Sequence, residues 1–149
     1  MDNYGVKLVL SFIRSYYTLC VPMERNIRRF GVTVSEFGVL EALLHKGDLP
    51  VQQLGHIILV TSGSMTYIVN KLEKRGYVEK YQCPRDGRIW YIKLTVCGQH
   101  FISRIFQEHE KFLNQLLAGI PENEQRELIR KLIDFRKTVS HNAGSETGS

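Results

Sequence analysis

The sequence has few cysteines and no long apolar run, and each absence excludes a class of protein. Its 149 residues include three cysteines, Cys20, Cys83 and Cys97. An odd number at irregular spacing makes neither a disulfide framework nor a paired CxxC zinc site, so free thiols in a reducing compartment are expected. No run approaches the roughly 20 apolar residues of a membrane-spanning helix, and the N-terminus lacks the basic-then-apolar layout of a secretory signal. We therefore expect a cytoplasmic protein with no membrane partner.

Motifs of catalysis and metal binding are also missing. The sequence has no HExxH, GxSxG, P-loop or dinucleotide fingerprint, and its five histidines are scattered. Cys97 and His100 fall one helical turn apart, with His109 on the same predicted helix, but no second close pair completes a tetrahedral set. We expect no enzyme activity, no cofactor and no metal, and a zinc-responsive regulator stays open as an alternative.

Positive charge is concentrated in one part of the chain. The net charge is +5 and the pI is about 9.2. Between residues 71 and 93, seven lysines and arginines face only three acidic residues. Such a block suits a polyanionic partner. A basic, solvated surface without any partner stays open as the alternative.

The stretch from Thr61 to Gly76 has the pattern of an amphipathic helix with well-marked ends. Thr61 or Ser62 suits the N-cap, and Gly76 suits the left-handed position that follows a helix. An ordinary surface helix would share this pattern. At helical spacing, apolar and polar side chains take opposite faces: Met65, Ile68, Val69 and Leu72 on one, Gly63, Tyr67, Asn70, Lys71 and Lys74 on the other.

Two strand patterns follow this helix. Tyr77–Gln82 and Ile89–Leu94 read as strands joined by a turn over Cys83–Arg88. The turn has an exposed basic tip, where Asp86 can hold a neighbouring arginine by a charge-assisted hydrogen bond. Helix and hairpin together predict a helix-turn-helix with a wing.

Two shorter helices are predicted before this unit. Thr33 and Glu36 form a capping box that starts the first, and Gly47 ends it. After Pro50, a short helix runs from about Val51 to near Val60 and is predicted to bury three apolar side chains: Leu54, Ile57 and Ile58. This short helix is the first half of the helix-turn-helix pair.

Helical patterns flank the module on both sides. The first runs from Tyr4 to about Cys20. Pro22 should kink or interrupt it, and Ile27 and Phe30 indicate that a helical stretch resumes before Gly31. Thr95 is predicted to cap another long helix, and a last one starts at Pro121. These helices carry more apolar surface than the module can cover, so we hypothesise that they form a homodimer. The predicted fold is mainly α with a small β-hairpin. It comprises an N-terminal dimerisation helix (1–30), a winged helix-turn-helix domain (31–95), C-terminal dimerisation helices (96–140) and a disordered tail (141–149).

The order of elements and several local motifs resemble the MarR family of bacterial winged helix-turn-helix regulators. The motifs that carry the resemblance lie between residues 33 and 95: Thr33–Glu36, Leu54, Ser62–Leu72, Leu72–Tyr77, Arg85–Arg88 and Leu94–Thr95. Within the family, Ser62–Tyr67 together with Cys83–Asp86 looks most like regulators of quinone and hydroquinone resistance genes. The resemblance implies a homodimeric repressor that binds a pseudo-palindromic operator in double-stranded DNA.

The resemblance also implies which residues contact DNA. It places Arg88 of the wing in the minor groove, where a narrow groove attracts arginine. Asn70 can pair with adenine, and Lys71 and Lys74 can neutralise phosphates. With the basic tip included, the predicted DNA-binding residues are Ser62, Ser64, Thr66, Tyr67, Asn70, Lys71, Lys74, Arg85 and Arg88. A winged-helix module that contacts proteins instead of DNA stays open as the alternative.

Regulators of this kind respond to a small molecule or to thiol chemistry. Cys20, on the apolar edge of the first helix, and Cys83, at the base of the wing, are the candidate redox sensors. Cys20 is equally a small buried hydrophobe, and Cys83 a tolerated strand-end residue. The family's ligand pocket lies between the dimerisation helices and the winged module, and an aromatic lining suits a phenol or quinone. The side chains expected near it are equally good core residues: Tyr16, Tyr17, Phe37, His45 and Phe106.

Overall fold

The computed structural model describes residues 3–58 and 60–145. In these ranges, six helices and three short strands follow one another as α1 (Tyr4–Arg28), α2 (Val34–Lys46), β1 (Leu49–Pro50), α3 (Val51–Ile58), α4 (Ser62–Lys74), β2 (Val78–Gln82), β3 (Trp90–Leu94), α5 (Val96–Leu116) and α6 (Glu122–Ser145). The chain divides into two compact units, Met1–Phe112 and Leu113–Ser149. The first unit contains every strand and the helix-turn-helix pair α3 and α4.

Helix α2 begins and ends as its sequence predicts. The hydroxyl of Thr33 accepts a hydrogen bond from the Glu36 amide at 3.2 Å, and the Glu36 carboxylate accepts one from the Thr33 amide at 2.7 Å. This is the reciprocal capping box. Gly47 follows the helix with a φ of 76°, a conformation that favours glycine. Both predicted boundaries of this helix are confirmed.

Helix α3 buries a narrower face than predicted. Its described residues run from Val51 to Ile58, and Leu59, which precedes the predicted end near Val60, lies outside the described residues. Leu54 is fully buried, but Ile57 is 39% exposed, so the predicted burial of Ile57 is wrong. Leu54 and Ile58 lie about 40° apart around the helix and share its packed side, whereas Ile57 falls on the flank. Ile58 packs so tightly on α2 that a methyl group on Gly38 would lie 2.6 Å from its Cγ2 atom.

The hairpin belongs to a three-stranded antiparallel sheet with the order β1-β3-β2. The predicted strands β2 and β3 pair in register from Val78 opposite Leu94 to Gln82 opposite Trp90. Each begins one residue later than predicted. The third strand, β1, pairs Leu49 with Ile92. The sequence pattern does not predict it, because two residues ending in proline are too few to show an alternation.

The terminal helices are longer than predicted. Helix α1 continues without interruption from Tyr4 to Arg28 with Pro22 inside it, so of the two effects expected of Pro22, a kink or an interruption, the interruption is wrong. A proline removes one amide donor from the helix, and α1 continues past this gap on the remaining bonds. His141–Ser145 continue α6, so the predicted disordered tail is wrong for these residues, and the rest of it, 146–149, lies outside the described residues.

The core of the first unit joins both halves of the helix-turn-helix to α1, α5 and the sheet. Apolar side chains supply nearly all of it, and the largest that are fully buried are Ile27, Leu40, Leu54, Met65, Leu72, Ile92, Ile102 and Ile105. One polar pair crosses this core, since His109 Nδ1 of α5 lies 2.8 Å from Asn26 Oδ1 of α1. Burial lowers the pKa of His109, which favours a neutral ring in this apolar setting.

The start of α5 is locked onto the base of the wing. The Thr95 hydroxyl accepts a hydrogen bond from the Gly98 amide at 2.9 Å and donates one to the Gly76 carbonyl at 2.6 Å. Gly98 allows this close approach, because a Cβ atom there would lie 1.9 Å from the carbonyl oxygen of Tyr77. The predicted cap at Thr95 is therefore confirmed, and it also fixes the end of α4 relative to α5.

Candidate nucleic-acid interface

Helix α4 is anchored by its apolar stripe and capped at both ends. All four predicted anchors are buried: Met65, Ile68, Val69 and Leu72. At the N-terminus, the Thr61 hydroxyl accepts a hydrogen bond from the Ser64 amide at 3.3 Å. At the C-terminus, Gly76 has a φ of 73° and donates to the Glu73 carbonyl, while Tyr77 donates to the Leu72 carbonyl. This pair of bonds is a Schellman motif, so the helix is held in one position on the core.

The opposite side of α4 is exposed. Six of the predicted DNA-binding residues lie on it: Ser62, Ser64, Thr66, Tyr67, Asn70 and Lys74. Tyr67 is 69% exposed although its ring is large and aromatic. The hydroxyl of Thr66 donates to the Ser62 carbonyl at 3.1 Å, which leaves its oxygen free to accept. Hydroxyl, phenol, amide and ammonium groups on one helical face are the types that contact base edges and phosphates.

The wing presents its arginines to solvent. The Arg88 side chain is 94% exposed, and its Nε atom lies 3.3 Å from Asp86 Oδ1. The same carboxylate oxygen accepts a hydrogen bond from the Arg88 amide at 3.0 Å. Asp86 therefore holds the arginine, as the sequence predicts. Arg85 is also exposed on the turn.

Lys71 differs from the other predicted contacts because its charge is already paired inside the protein. Its ammonium lies 2.8 Å from Glu36 Oε1, and Arg75 Nη1 lies 3.9 Å from Glu36 Oε2. Arg75 also donates to the Gly31 carbonyl at 2.8 Å. Glu36 thus caps α2 and also pairs with Lys71 of α4 and with Arg75, the residue that follows α4. One carboxylate therefore connects α2 to α4.

A second network links α4 to the hairpin. The ammonium of Lys80, on β2, lies 2.8 Å from Asn70 Oδ1 and 2.8 Å from Glu73 Oε2. Both partners are on α4. Lys80 therefore holds the exposed Asn70 side chain in one orientation. This contact is not predicted from the sequence.

A cleft of about 670 Å³ lies between α3, α4 and the hairpin. It brings Thr66 and Asn70 of the exposed helix face and Arg88 of the wing into one concave surface with the polar side of α3. Its lining includes the predicted residues Thr66, Asn70 and Arg88, together with Gln52, Gln53, His56, Lys80 and Trp90. None of these last five residues is predicted as a DNA contact from the sequence. His56 follows Gln52 by four residues and Gln53 by three, a spacing that places the three side chains on one side of a helix. This spacing could have indicated a polar face on α3.

The two candidate redox cysteines lie in different surroundings. Cys20 and Cys83 are both half-buried, and Cys97 is exposed. Tyr16 contacts Cys20, and a hydrogen bond between their side chains raises the pKa of Tyr16. Cys83, which follows β2, donates its amide to the Ile89 carbonyl at 2.8 Å. Oxidation of Cys20 would act on α1, and oxidation of Cys83 would act on the base of the wing.

The aromatic residues that were predicted to line a ligand pocket do not form one group. Tyr16 and Tyr17 contact each other and are largely exposed. His45 packs edge-on against Phe106 at 4.8 Å between ring centres. Phe37 is buried against His109 at 5.0 Å. These are three separate contacts, of which the last is part of the core.

Metal ligands do not cluster in the described part of the chain. Across residues 3–58 and 60–145, no three His, Cys, Asp or Glu side chains lie close enough to hold an ion. Of the three residues Cys97, His100 and His109, which share one helix, His109 is bonded to Asn26. Nor is any helix in these two ranges both long enough and apolar enough to cross a membrane.

A helix-turn-helix pair with a basic wing, presented on one concave surface, defines a winged helix-turn-helix protein that binds nucleic acid. The model of the MarR family matches residues 30–89. The chain is 35% identical over 143 residues to the HTH-type transcriptional regulator MhqR of Bacillus subtilis (strain 168), with 96% of each protein covered. The chain therefore belongs to the MarR family of DNA-binding transcriptional regulators.

Two solved structures agree with this fold. Sco3205 of Streptomyces coelicolor, a MarR family regulator solved in complex with DNA, has a TM-score of 0.80 at 21% identity, covering 92% of this chain and 88% of its own. NadR, solved in complex with 4-hydroxyphenylacetate, has a TM-score of 0.74 at 21% identity, and the match covers 85% of this chain and 89% of the NadR chain. The predicted fold class and family are confirmed, and the relatives are regulators rather than enzymes.

Proposed function

We propose that the protein is a homodimeric repressor that binds a pseudo-palindromic operator. The observation that carries the proposal is the shared concave surface of the α4 face and the wing. Helix α4 would enter the major groove, and Arg88 would reach the adjacent minor groove. The proposed contacts are Ser62, Ser64, Thr66, Tyr67, Asn70, Lys74, Arg85 and Arg88. Lys71, whose ammonium is paired with Glu36, would instead anchor the helix.

Exposed apolar residues on the terminal helices support the homodimer. In α1, five apolar side chains are exposed in a single chain: Val6, Val9, Leu10, Ile13 and Tyr17. In α6, Leu128, Ile129, Leu132, Ile133 and Val139 are exposed as well. Contiguous apolar surface of this kind marks interaction sites, and an isologous dimer buries it while duplicating the DNA-reading unit. A mass of one chain by light scattering at micromolar concentration would contradict this part of the proposal.

Release from DNA is proposed to follow binding of a small phenol or quinone, or modification of a cysteine. The binding of 4-hydroxyphenylacetate by NadR supports a phenolic ligand. The cleft of about 670 Å³ is within the usual size of ligand pockets, and a ligand there would compete with DNA directly. For the thiol route, the contact between Cys20 and Tyr16 offers one place of action and Cys83 another.

Selection of bound fragments from genomic DNA tests the regulatory proposal. Purified protein should retain a small set of fragments that share an inverted repeat, and a reporter placed behind such a fragment should be silenced by the protein. Addition of phenolic acids, quinones or oxidants then tests release. Release by quinones that persists in Cys20→Ser and Cys83→Ser variants would assign the response to ligand binding, whereas its loss in one variant would assign it to that thiol.

Salt dependence separates this function from a winged helix that contacts only proteins. Neutralising several phosphates releases counterions, so operator affinity should fall steeply as salt rises. Retention of partner proteins with no affinity for any DNA fragment would favour the protein-interaction alternative.

A further inference from the structure

Asn70 is held by a lysine that determines which edge of its amide is available to DNA. The ammonium of Lys80 lies 2.8 Å from Asn70 Oδ1. An ammonium has only donors, so the atom that faces it must be the amide oxygen. The amide NH₂ group, with its two donors, is then the part of Asn70 that faces away from Lys80.

Lys80 has a second partner besides Asn70. The same ammonium is 2.8 Å from Glu73 Oε2, and the Lys80 side chain is 29% exposed. Glu73 lies one helical turn from Asn70 on α4, so the lysine is held by a charge at one end of that turn and binds the amide at the other. Charge-assisted bonds of this kind are shorter and stronger than neutral ones. Lys80 is therefore suited to be a positioning residue for Asn70.

We propose that Lys80 makes Asn70 a donor of hydrogen bonds to DNA, so that the base it reads is guanine rather than adenine. The inference rests on the proposed function. Asparagine pairs with adenine by accepting from N6 and donating to N7, and this requires the amide oxygen. The Lys80 ammonium already bonds one of the two lone pairs of that oxygen. Because an ammonium and the adenine N6 amino group are both donors, the two would compete for the same small oxygen, whereas the NH₂ group of Asn70 has no such competitor. Guanine presents two neighbouring acceptors, N7 and O6, in the major groove, and the two donors of one NH₂ group suit them.

Lys93 provides a matched control. It lies on the neighbouring strand β3, and its ammonium pairs with Glu79 Oε1 at 3.0 Å. The Lys93 ammonium also lies 5.7 Å from the centre of the Tyr81 ring. Lys80→Met and Lys93→Met each remove one positive charge from the sheet, but only the first removes the partner of Asn70.

The test uses operator variants that carry each of the four bases at every position, titrated at one salt concentration with the wild type, Asn70→Ala, Lys80→Met and Lys93→Met. The position where Asn70→Ala loses base preference is the one that Asn70 reads. There the wild type and Lys93→Met should prefer guanine over adenine by on the order of tenfold. Lys80→Met should shift that preference toward adenine and leave the other positions unchanged. Replacing this guanine with 7-deazaguanine, which lacks the N7 acceptor, should weaken binding of the wild type but not of Asn70→Ala.

Three outcomes would overturn the inference while leaving the proposed function intact. They are a wild-type preference for adenine at the Asn70 position, an unchanged preference in Lys80→Met, and an Asn70→Ala variant that keeps its preference at every position. Loss of sequence-specific binding in the wild type would be a different result, because it would overturn the proposed function together with this inference. Matching thermal unfolding of Lys80→Met and Lys93→Met shows that both variants are folded.

Discussion

The ammonium of Lys71 on α4 lies 2.8 Å from Oε1 of Glu36 on α2, and the Glu36 side chain is only 2% exposed. Among the residues that the structure describes, this ammonium is the one cation within hydrogen-bonding distance of that oxygen. A buried carboxylate is costly unless it is paired. The pair therefore couples the capping of α2 to the placement of α4, and the helix predicted to read DNA depends on a residue that never reaches the DNA-facing surface.

Replacing Glu36 with Gln should destabilise the protein. The substitution keeps the shape of the side chain but removes the charge that binds Lys71 and Arg75. We expect a loss of about 1–3 kcal/mol in the free energy of unfolding, less than for a fully buried pair because Lys71 is 45% exposed. Urea unfolding measures it. Glu127→Gln, which breaks an exposed pair with Lys131, is the control and should leave the midpoint close to that of the wild type.

The same pair predicts how stability depends on pH. Burial raises the pKa of Glu36, but the bonds from Lys71 and the Thr33 amide and the charges of Lys71 and Arg75 outweigh burial, so the pKa lies below the ordinary glutamate value. A lowered pKa stabilises the folded state above the unfolded value of about 4.3, and this contribution is lost as the pH falls through the folded pKa. The stability gap between the wild type and Glu36→Gln should therefore narrow below about pH 4.3. If the difference in unfolding free energy between the two proteins stays constant from pH 6 to pH 3, the charge of Glu36 does not contribute to stability and the prediction is contradicted.

Lys74 and Lys71 should affect DNA binding differently. Lys74 is exposed, whereas the Lys71 ammonium is paired with Glu36. Each phosphate contact contributes about 0.9 to the slope of log affinity against log salt. Lys74→Gln should lower the magnitude of this slope by about that amount, and Lys71→Gln should leave the slope nearly unchanged while reducing stability. Equal changes in slope would show that Lys71 also contacts a phosphate.

The contact between Gly98 and Tyr77 predicts a site that tolerates no side chain. A Cβ atom at Gly98 would lie 1.9 Å from the Tyr77 carbonyl oxygen, so the start of α5 and the base of the wing would have to separate. We expect Gly98→Ala to cost about 1–3 kcal/mol in thermal or urea unfolding. Gly63→Ala is the control, because its methyl group would meet nothing within 4 Å. Unfolding of the two variants at the same midpoint would contradict the predicted close contact.

Arg88 should contribute to operator binding without contributing to stability. Its side chain is 94% exposed, and its one close charged partner among the described residues is Asp86. Arg88→Ala should weaken binding by on the order of 1–3 kcal/mol if the arginine makes a base-specific contact in the minor groove. A titration at fixed salt measures this, with Arg126→Ala on α6 as the control for loss of one positive charge. Equal affinities of the wild type and Arg88→Ala would remove Arg88 from the site.

Features encoded within a few residues of one another could be predicted from the sequence. The capping box of Thr33 and Glu36, the Gly76 position after α4, and the Asp86 bond to Arg88 each connect residues no more than three apart. Local hydrogen bonding and backbone conformation decide such features. The apolar stripe of α4 was predictable for the same reason, because one helical period determines which side chains share a face.

Contacts between distant parts of the chain could not be predicted in this way. The bond of His109 to Asn26 joins residues 83 apart, and Lys80 reaches Asn70 across the turn between α4 and β2. Neither pair has a signature in spacing, since only the packing of the helices and the sheet brings the groups together. The continuity of α1 at Pro22 could not be predicted either, because α1 remains helical on both sides of the proline.

Footprinting of the wild-type protein on a selected operator tests the central claim most directly. A homodimer that places one α4 helix per chain in successive major grooves should protect two half-sites related by an inverted repeat, with centres about 34–36 Å or one helical turn apart. A single protected half-site with no repeat at that spacing would contradict the account.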